Sequence, residues 1–186
     1  MLFFASIAVG FIAGWAARGS LANVGNIRFR WPWLVVAALL LRAATLLTPL
    51  RGVEGIQYVY LASLAAVVSW MLWNVNRVRG IWLAGIGTAL NLVVIAANSA
   101  RMPVSAELAG PLLVQRGHIG QYALMAPGTH LNWLADWIAL PGPFRLEAYS
   151  PGDLIVAAGT AVVIVLAMRS RAGLDETSRR IVSDPP

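Results

Sequence analysis

The chain contains no cysteine and no lysine. The first absence excludes disulfides, thiolate-ligated zinc, iron–sulfur clusters and thiol nucleophiles from any mechanism. The second makes arginine the main carrier of positive charge. Charge of either sign is scarce: charged residues are 12% of the 186 positions, about half the fraction usual in soluble domains. Hydrophobic residues reach 59% and the mean hydropathy is +0.70. Arginine outnumbers the acids, giving a net charge of +6. A basic balance can point to nucleic acid. Here the arginines fall mostly in the gaps between apolar runs, where membrane topology accounts for them. No nucleic-acid partner is expected.

Those apolar runs approach the roughly 20 residues that cross a bilayer core. They predict an all-α, polytopic membrane helix bundle with five transmembrane helices. The expected spans are Leu2 to Ala17, Trp33 to Leu50, Gln57 to Asn74, Ile81 to Ser99 and Pro151 to Met168. They form one domain over residues 1–168, followed by a charged, proline-ended and mobile tail, residues 169–186. The first run has no positive side chain ahead of it and Arg18 behind it, the reverse of a cleavable signal peptide, so it is expected to stay as a helix. The last run has a marked start. In "SPGD", Ser150 can cap, Pro151 suits the first helical position, and Asp153 completes a capping box.

Five spans leave the two ends on opposite sides, and arginine assigns the sides. Arg18, Arg28, Arg30, Arg77, Arg79, Arg169, Arg171, Arg179 and Arg180, nine in all, share one side, while Arg51, Arg101, Arg116 and Arg145, four in all, share the other. The positive-inside rule then places the N-terminus outside and the C-terminus in the cytoplasm of a bacterial inner membrane. Trp31, Trp33, Trp70 and Trp73 fall at the expected inner boundary, and Tyr58 and Tyr60 at the outer one. Between the fourth and fifth spans, residues 101–149 form a long outer segment rich in apolar stretches and broken by prolines. Leu131, Leu134 and Ile138 share a helical face there, and Thr129 could cap it. A short amphipathic helix in a partly helical cap over the bundle is the expectation.

Polar side chains within the spans are the candidates for function. Asn91 and Asn98 lie two helical turns apart, and Gly87, Ala84 and Gly80 continue the same face. Small residues let helices approach, and amides bridge them for about 0.6–2 kcal/mol each. Ser6, Gly10 and Gly14 on the first helix offer a matching surface. Both readings stay open: packing glue, or a polar site for a ligand, ion or lipid headgroup. Arg42 stands nine residues past Trp33, roughly 13 Å along a helix axis and close to mid-bilayer. Such an arginine costs about 2.5–3.5 kcal/mol to insert and normally faces the protein interior. With no acidic residue inside any span beyond Asp153 in the first turn of the fifth, its counter-charge would come from hydrogen bonds within the bundle, another subunit, a lipid phosphate or an anionic ligand.

Catalytic spacing is missing. His118 and His130 both fall in the outer segment, near Glu107, Asp136, Glu147 and Asp153, but stand twelve residues apart with no HxxxH or HExxH. Ser105, Ser150 and Thr129 fit caps better than nucleophiles. No metal or other cofactor is expected, and the missing spacing leans against an enzyme while leaving that question open.

Four blocks carry a resemblance: "GSLANVGNIRFRWPWLVVAALLLRA", "LNLVVIAANSARMPVS", "YALMAPGTHLNWLADWIALPGP" and "YSPGDLIVAAG". In this order, from Leu2 to about Met168, they look like an uncharacterised bacterial integral-membrane family catalogued as domain of unknown function 5317. The most specific piece is N-x-x-V-I-A-x-N-x-x-R-M-P-V, carried by Asn91, Val94, Ile95, Ala96, Asn98, Arg101, Met102, Pro103 and Val104. The T-x-L-x-W-L-x-D-x-I-x-L-P block follows from Thr129 to Pro141, with Ala135 where glycine is more usual. The resemblance implies membership and topology but supplies no activity, cofactor or catalytic residue. It also implies that an uncharged residue is usual at position 42, so Arg42 belongs to this protein's own setting.

Two functional expectations result. One is a non-enzymatic accessory or scaffolding subunit of a larger bacterial membrane complex, with membrane lipids and other membrane subunits as partners. It should expose Gly10, Gly14 or Arg42 on the bundle surface. The other is a stand-alone membrane enzyme or a small-solute or lipid carrier, with a polar site under the outer cap. It should gather Arg42, Asn91 and Arg101 around a wet cavity. In either case Asn91, Asn98 and Arg101 are expected to tie the cap to the bundle, with Arg101 paired to Asp136 or Asp153.

Overall fold

The computed structural model describes residues 1–47, 53–142 and 146–170. Seven helices and five short strands follow in the order α1 (Leu2–Ala16), α2 (Leu21–Val24), α3 (Pro32–Leu47), α4 (Ile56–Asn74), α5 (Ile81–Ala97), β1 (Met102–Val104), α6 (Pro111–Arg116), β2 (His118–Ile119), β3 (Tyr122–Leu124), β4 (Ile138–Pro141), β5 (Leu146–Tyr149) and α7 (Pro151–Met168). A single 3-10 turn, Asn132–Leu134, precedes β4. The five apolar runs are all helices. Of these, α4 and α7 are long and apolar enough to cross a membrane, and α1, α3 and α5 are shorter apolar helices. The last three residues of the expected second span, together with Arg51, Arg145 and the tail from residue 171 onward, lie outside the described residues.

Local chemistry sets the helix ends. At α7 the Ser150 hydroxyl accepts from the Asp153 backbone N–H at 2.9 Å, and the Asp153 carboxylate accepts from the Ser150 N–H at 3.1 Å, with Pro151 at the first turn. This is the capping box that the sequence announces. α5 starts from Gly80, whose φ of +87° is a left-handed conformation that side-chain-bearing residues rarely adopt.

The helices pack as a row: α1 on α7, α7 on α5, α5 on α4, and α4 on α3. Small residues make the central contacts. A Cβ at Gly87 would stand 2.5 Å from the Gly152 carbonyl oxygen, and one at Gly159 would strike the backbone of Ala84. The Gly87–Ala84–Gly80 stripe of α5 is therefore buried against α7. The Ser6–Gly10–Gly14 face of α1 is buried too, with Gly10 against Ala161 and Ile164 and Gly14 against Met168. The two stripes do not meet each other, as their matching pattern had implied. α7 carries small residues of its own, Gly152 and Gly159, and lies between them.

The segment after α5 corrects the all-α expectation. β1 pairs in parallel with β3, which pairs antiparallel with β2, while β4 and β5 form a separate antiparallel pair. The amphipathic helix expected around Leu131, Leu134 and Ile138 is absent. Leu131 is left-handed (φ 55°), one 3-10 turn follows, and the chain then extends. The reason is tertiary pairing. The Asp136 N–H donates to the Pro103 carbonyl at 3.0 Å, and its carbonyl accepts from the Ser105 N–H at 2.9 Å. Those bonds hold Asp136 extended beside β1, and a helix would have forfeited them. Thr129 closes a turn instead of capping a helix: its hydroxyl reaches the Ala126 carbonyl at 2.7 Å.

This cap is fixed to the bundle by an apolar core. Tyr60 and Leu64 of α4 and Val94 and Ile95 of α5 pack with Met102, Leu134 and Ala135 of the cap. At the opposite end Trp70, Val78 and Ile81 form a second cluster. There Trp31 stacks on Trp33 and Trp73 at ring separations of 6.0 and 5.6 Å. Fully buried Asn74 accepts from the Arg30 backbone N–H at 2.7 Å.

Candidate functional site

The residues singled out in the sequence converge unequally. Asn91 donates from its amide nitrogen to Asp153 Oδ1 at 2.7 Å, and its amide oxygen accepts from the Ser150 hydroxyl at 2.8 Å. Asn98 ends α5. Its side chain donates to the His130 carbonyl at 2.9 Å and accepts from the His130 N–H at 2.8 Å, a two-way clasp on the cap backbone. Asn98 thus ties α5 to the cap as expected, whereas Asn91 joins α5 to the start of α7 and not to the cap. Arg101 does not act as expected. Among the described residues no ion pair links it to Asp136 or Asp153, and its buried Nε has no hydrogen-bond partner. Left-handed Ser99 and Ala100 turn the chain sharply between Asn98 and β1, so helical spacing does not carry through to residue 101.

Beneath the cap is a cavity of about 570 Å³. Arg42 of α3, Tyr60 of α4, Asn91 of α5 and Asp153 of α7 enter it from the helices, and Tyr122 and Asp136 enter it from the cap. The Arg42 guanidinium lies 4.9 Å from the centre of the Tyr60 ring, within cation–π range. Tyr60, placed at the outer boundary by sequence, is instead buried under that cation, while Tyr58 is 57% exposed. The remaining wall is mainly apolar and includes Leu2, Phe3, Val35, Leu39 and Val67, with Ser63, Thr88 and Tyr149 among them. The site therefore has a charged and hydroxylic end and a hydrocarbon side.

Its electrostatics center on Asp136. The carboxyl is buried, and its Oδ1 has no hydrogen-bond partner among the described residues. Burial, reinforced by the negative charge of Asp153 and opposed by Arg42, pushes its pKa up to about 8. Asp136 is therefore largely a neutral acid at pH 7, able to donate a hydrogen bond. Asp153 differs, because its two oxygens accept from Asn91 and from the Ser150 N–H. The Tyr122 hydroxyl is raised by burial and then by the Asp136 charge. The two carboxyls in one cavity thus differ in hydrogen bonding, one held by Asn91 and Ser150 and the other with its Oδ1 unpartnered among the described residues.

Sequence reasoning missed Tyr60, Tyr122 and Ser150 as parts of this site. Ser150 was visible as a cap but not as a donor to Asn91. Tyr122 sits in a strand too short to show a period. Neither histidine enters the cavity lining, and among the described residues no group of three His, Asp or Glu side chains could hold a metal ion.

Comparison with known proteins adds one finding. The model of the family of unknown function DUF5317 matches residues 26–165, which spans α3 to α7 and the whole cap. The chain belongs to that family. No curated protein and no solved structure matches it.

Proposed function

We propose that this member of the DUF5317 family is a five-span protein of the bacterial cytoplasmic membrane, N-terminus outside, whose cavity beneath the outer cap binds an amphiphile by its polar head. Membrane placement is supported by the mismatch between hydropathy and burial. The most apolar windows of α4 and α7 have mean hydropathies of 1.5 and 2.0, yet only 28% of each is buried. The core helix of a soluble protein would be mostly covered. Large apolar side chains such as Ile12, Leu40 and Leu72 are exposed instead, as lipid-facing positions require. The orientation is supported by the positive-inside rule applied to the arginine count, nine against four in the sequence.

One observation carries the functional reading: four helices and the cap each contribute a polar side chain to a single cavity that also has a hydrocarbon wall. α1 and α3 are the two ends of the helix row and have no packing comparable to that of the neighbouring pairs, so the row offers a side entrance for an acyl chain. A lipid-type ligand would set its tail along Leu39 and Val67 and its head among Arg42, Asn91, Asp136 and Asp153. The accessory-subunit reading called for Gly10, Gly14 or Arg42 on the bundle surface. The glycines pack on α7 and Arg42 lines the cavity with Asn91. Arg101, which the carrier reading also called for, is not in the lining, so two of its three residues support a carrier or binding protein.

Native mass spectrometry after mild-detergent extraction tests this. The expected result is the chain with a bound lipid-sized mass that Arg42→Gln and Asp136→Asn weaken without lowering the melting temperature by more than a few degrees. A discrete assembly with other named chains, or bound lipid indifferent to both substitutions, would overturn it.

A further inference from the structure

We infer a second binding site at the opposite end of the bundle, for the headgroup of an anionic glycerophospholipid. A pocket of about 340 Å³ lies there between the segment after α2, the α4–α5 turn and the end of α7. Arg28, Arg77 and Arg79 line it, together with the apolar side chains of Ile27, Val163 and Leu166. Among the described residues no acidic side chain lines it, and none of the three arginines has a carboxylate partner.

The helix ends around it favour an anion. α5 is 17 residues long and begins beside the pocket at Gly80. The Ile81 N–H donates to the Val78 carbonyl at 3.3 Å and the Leu83 N–H to the Gly80 carbonyl at 3.1 Å, and the helix dipole places partial positive charge at this end. The opposing negative end of α7 is already satisfied. The Met168 carbonyl accepts from the Ser20 N–H at 2.9 Å and from the Asn23 amide at 2.8 Å, and the Ala167 carbonyl accepts from the Ser170 hydroxyl at 2.8 Å. The satisfied C-terminus of α7 beside the positive end of the α5 dipole leaves three guanidinium groups around one concavity. Valine, leucine and isoleucine beside them fit an acyl chain better than a soluble phosphate, and basic pockets between helices on the cytoplasmic side are where anionic headgroups bind.

This inference rests on the membrane placement proposed above, not on the occupant of the outer cavity. The test compares phosphatidylglycerol with phosphatidylcholine, supplied in equal amounts to the detergent-purified chain and counted by native mass spectrometry. Wild type is expected to retain phosphatidylglycerol preferentially. Each arginine is expected to account for roughly a fivefold preference, so R28Q/R77Q/R79Q should lose nearly all of it. R18Q/R169Q removes two charges from the same end but outside the pocket, and should retain it. R28K/R77K/R79K should keep most of it, which separates lost charge from a damaged fold.

Equal retention of the two lipids by wild type overturns the site. So does a preference that survives in R28Q/R77Q/R79Q, one lost equally in R18Q/R169Q, or one that inorganic phosphate abolishes at the same concentration as the lipid. A chain that stays monodisperse in buffer without detergent would instead overturn the membrane placement itself.

Discussion

Asn91 and Asp153 stand 62 positions apart in sequence, yet the Asn91 amide donates to the Asp153 carboxylate at 2.7 Å. That bond crosses from α5 to α7 at the place where Gly87 and Gly152 bring the two backbones together. Because Asp153 also closes the capping box of α7, one amide connects helix initiation, helix packing and the cavity rim.

Asn91→Leu removes a hydrogen bond to a charged group and leaves Asp153 and Ser150 short of a partner. The expected loss is about 1.5–3 kcal/mol. Thermal unfolding in detergent should show a lower midpoint. Asn91→Asp should be worse, since it sets a second carboxylate against Asp153.

Glycine substitutions should divide by location. Gly87→Ala drives a Cβ into the Gly152 carbonyl and the Val156 backbone, whereas Gly128→Ala meets nothing within 4 Å. The first should destabilise by roughly 1–3 kcal/mol as an overpacked contact, and the second by less than about 0.5 kcal/mol. Similar midpoints for the two would mean that α5 and α7 are not in close contact.

Asn98→Ala should loosen the cap without opening the bundle. Both of its bonds to His130 are lost, while the apolar contacts of Val94 and Ile95 remain. Hydrogen exchange should quicken around residues 129–136 and stay slow in the middle of α5. Uniform quickening would contradict a local clasp.

Asp136 sets a pH dependence. Its carboxyl is raised from 3.8 to about 8 in the folded chain, so the folded state holds the proton more tightly than the unfolded state. Stability from this group is complete below about 3.8, falls as pH rises through the window, and levels off above about 8. Unfolding followed from pH 5 to pH 8 should show wild type losing stability relative to Asp136→Asn. Parallel profiles would mean that Asp136 is ionised and solvated.

The difference between what was legible and what was not follows from range. Hydropathy places α1, α4, α5 and α7 to within a residue or two, because a helix satisfies its own backbone and its length depends only on local sequence. The capping box at Ser150 is equally local. The cap resisted reading because its strands are two to four residues long, too short for a period of two to outweigh the helical spacing of Leu131, Leu134 and Ile138. Small-residue stripes were visible on α1 and α5, but a stripe does not name its partner.

By itself the sequence determined where the apolar helices run, how α7 begins, that arginine falls mostly in the gaps between the apolar runs, and that Asn91 and Asn98 had to be satisfied by something. Only the tertiary structure decided by what. It set α7 between α1 and α5, because only there can Gly87, Gly152 and Gly159 bring backbones into contact. It turned Arg42 onto Tyr60 and into the cavity, away from the bundle surface. It also held Asp136 in an extended pairing with β1, where burial and a neighbouring carboxylate, both invisible in one dimension, set its proton affinity.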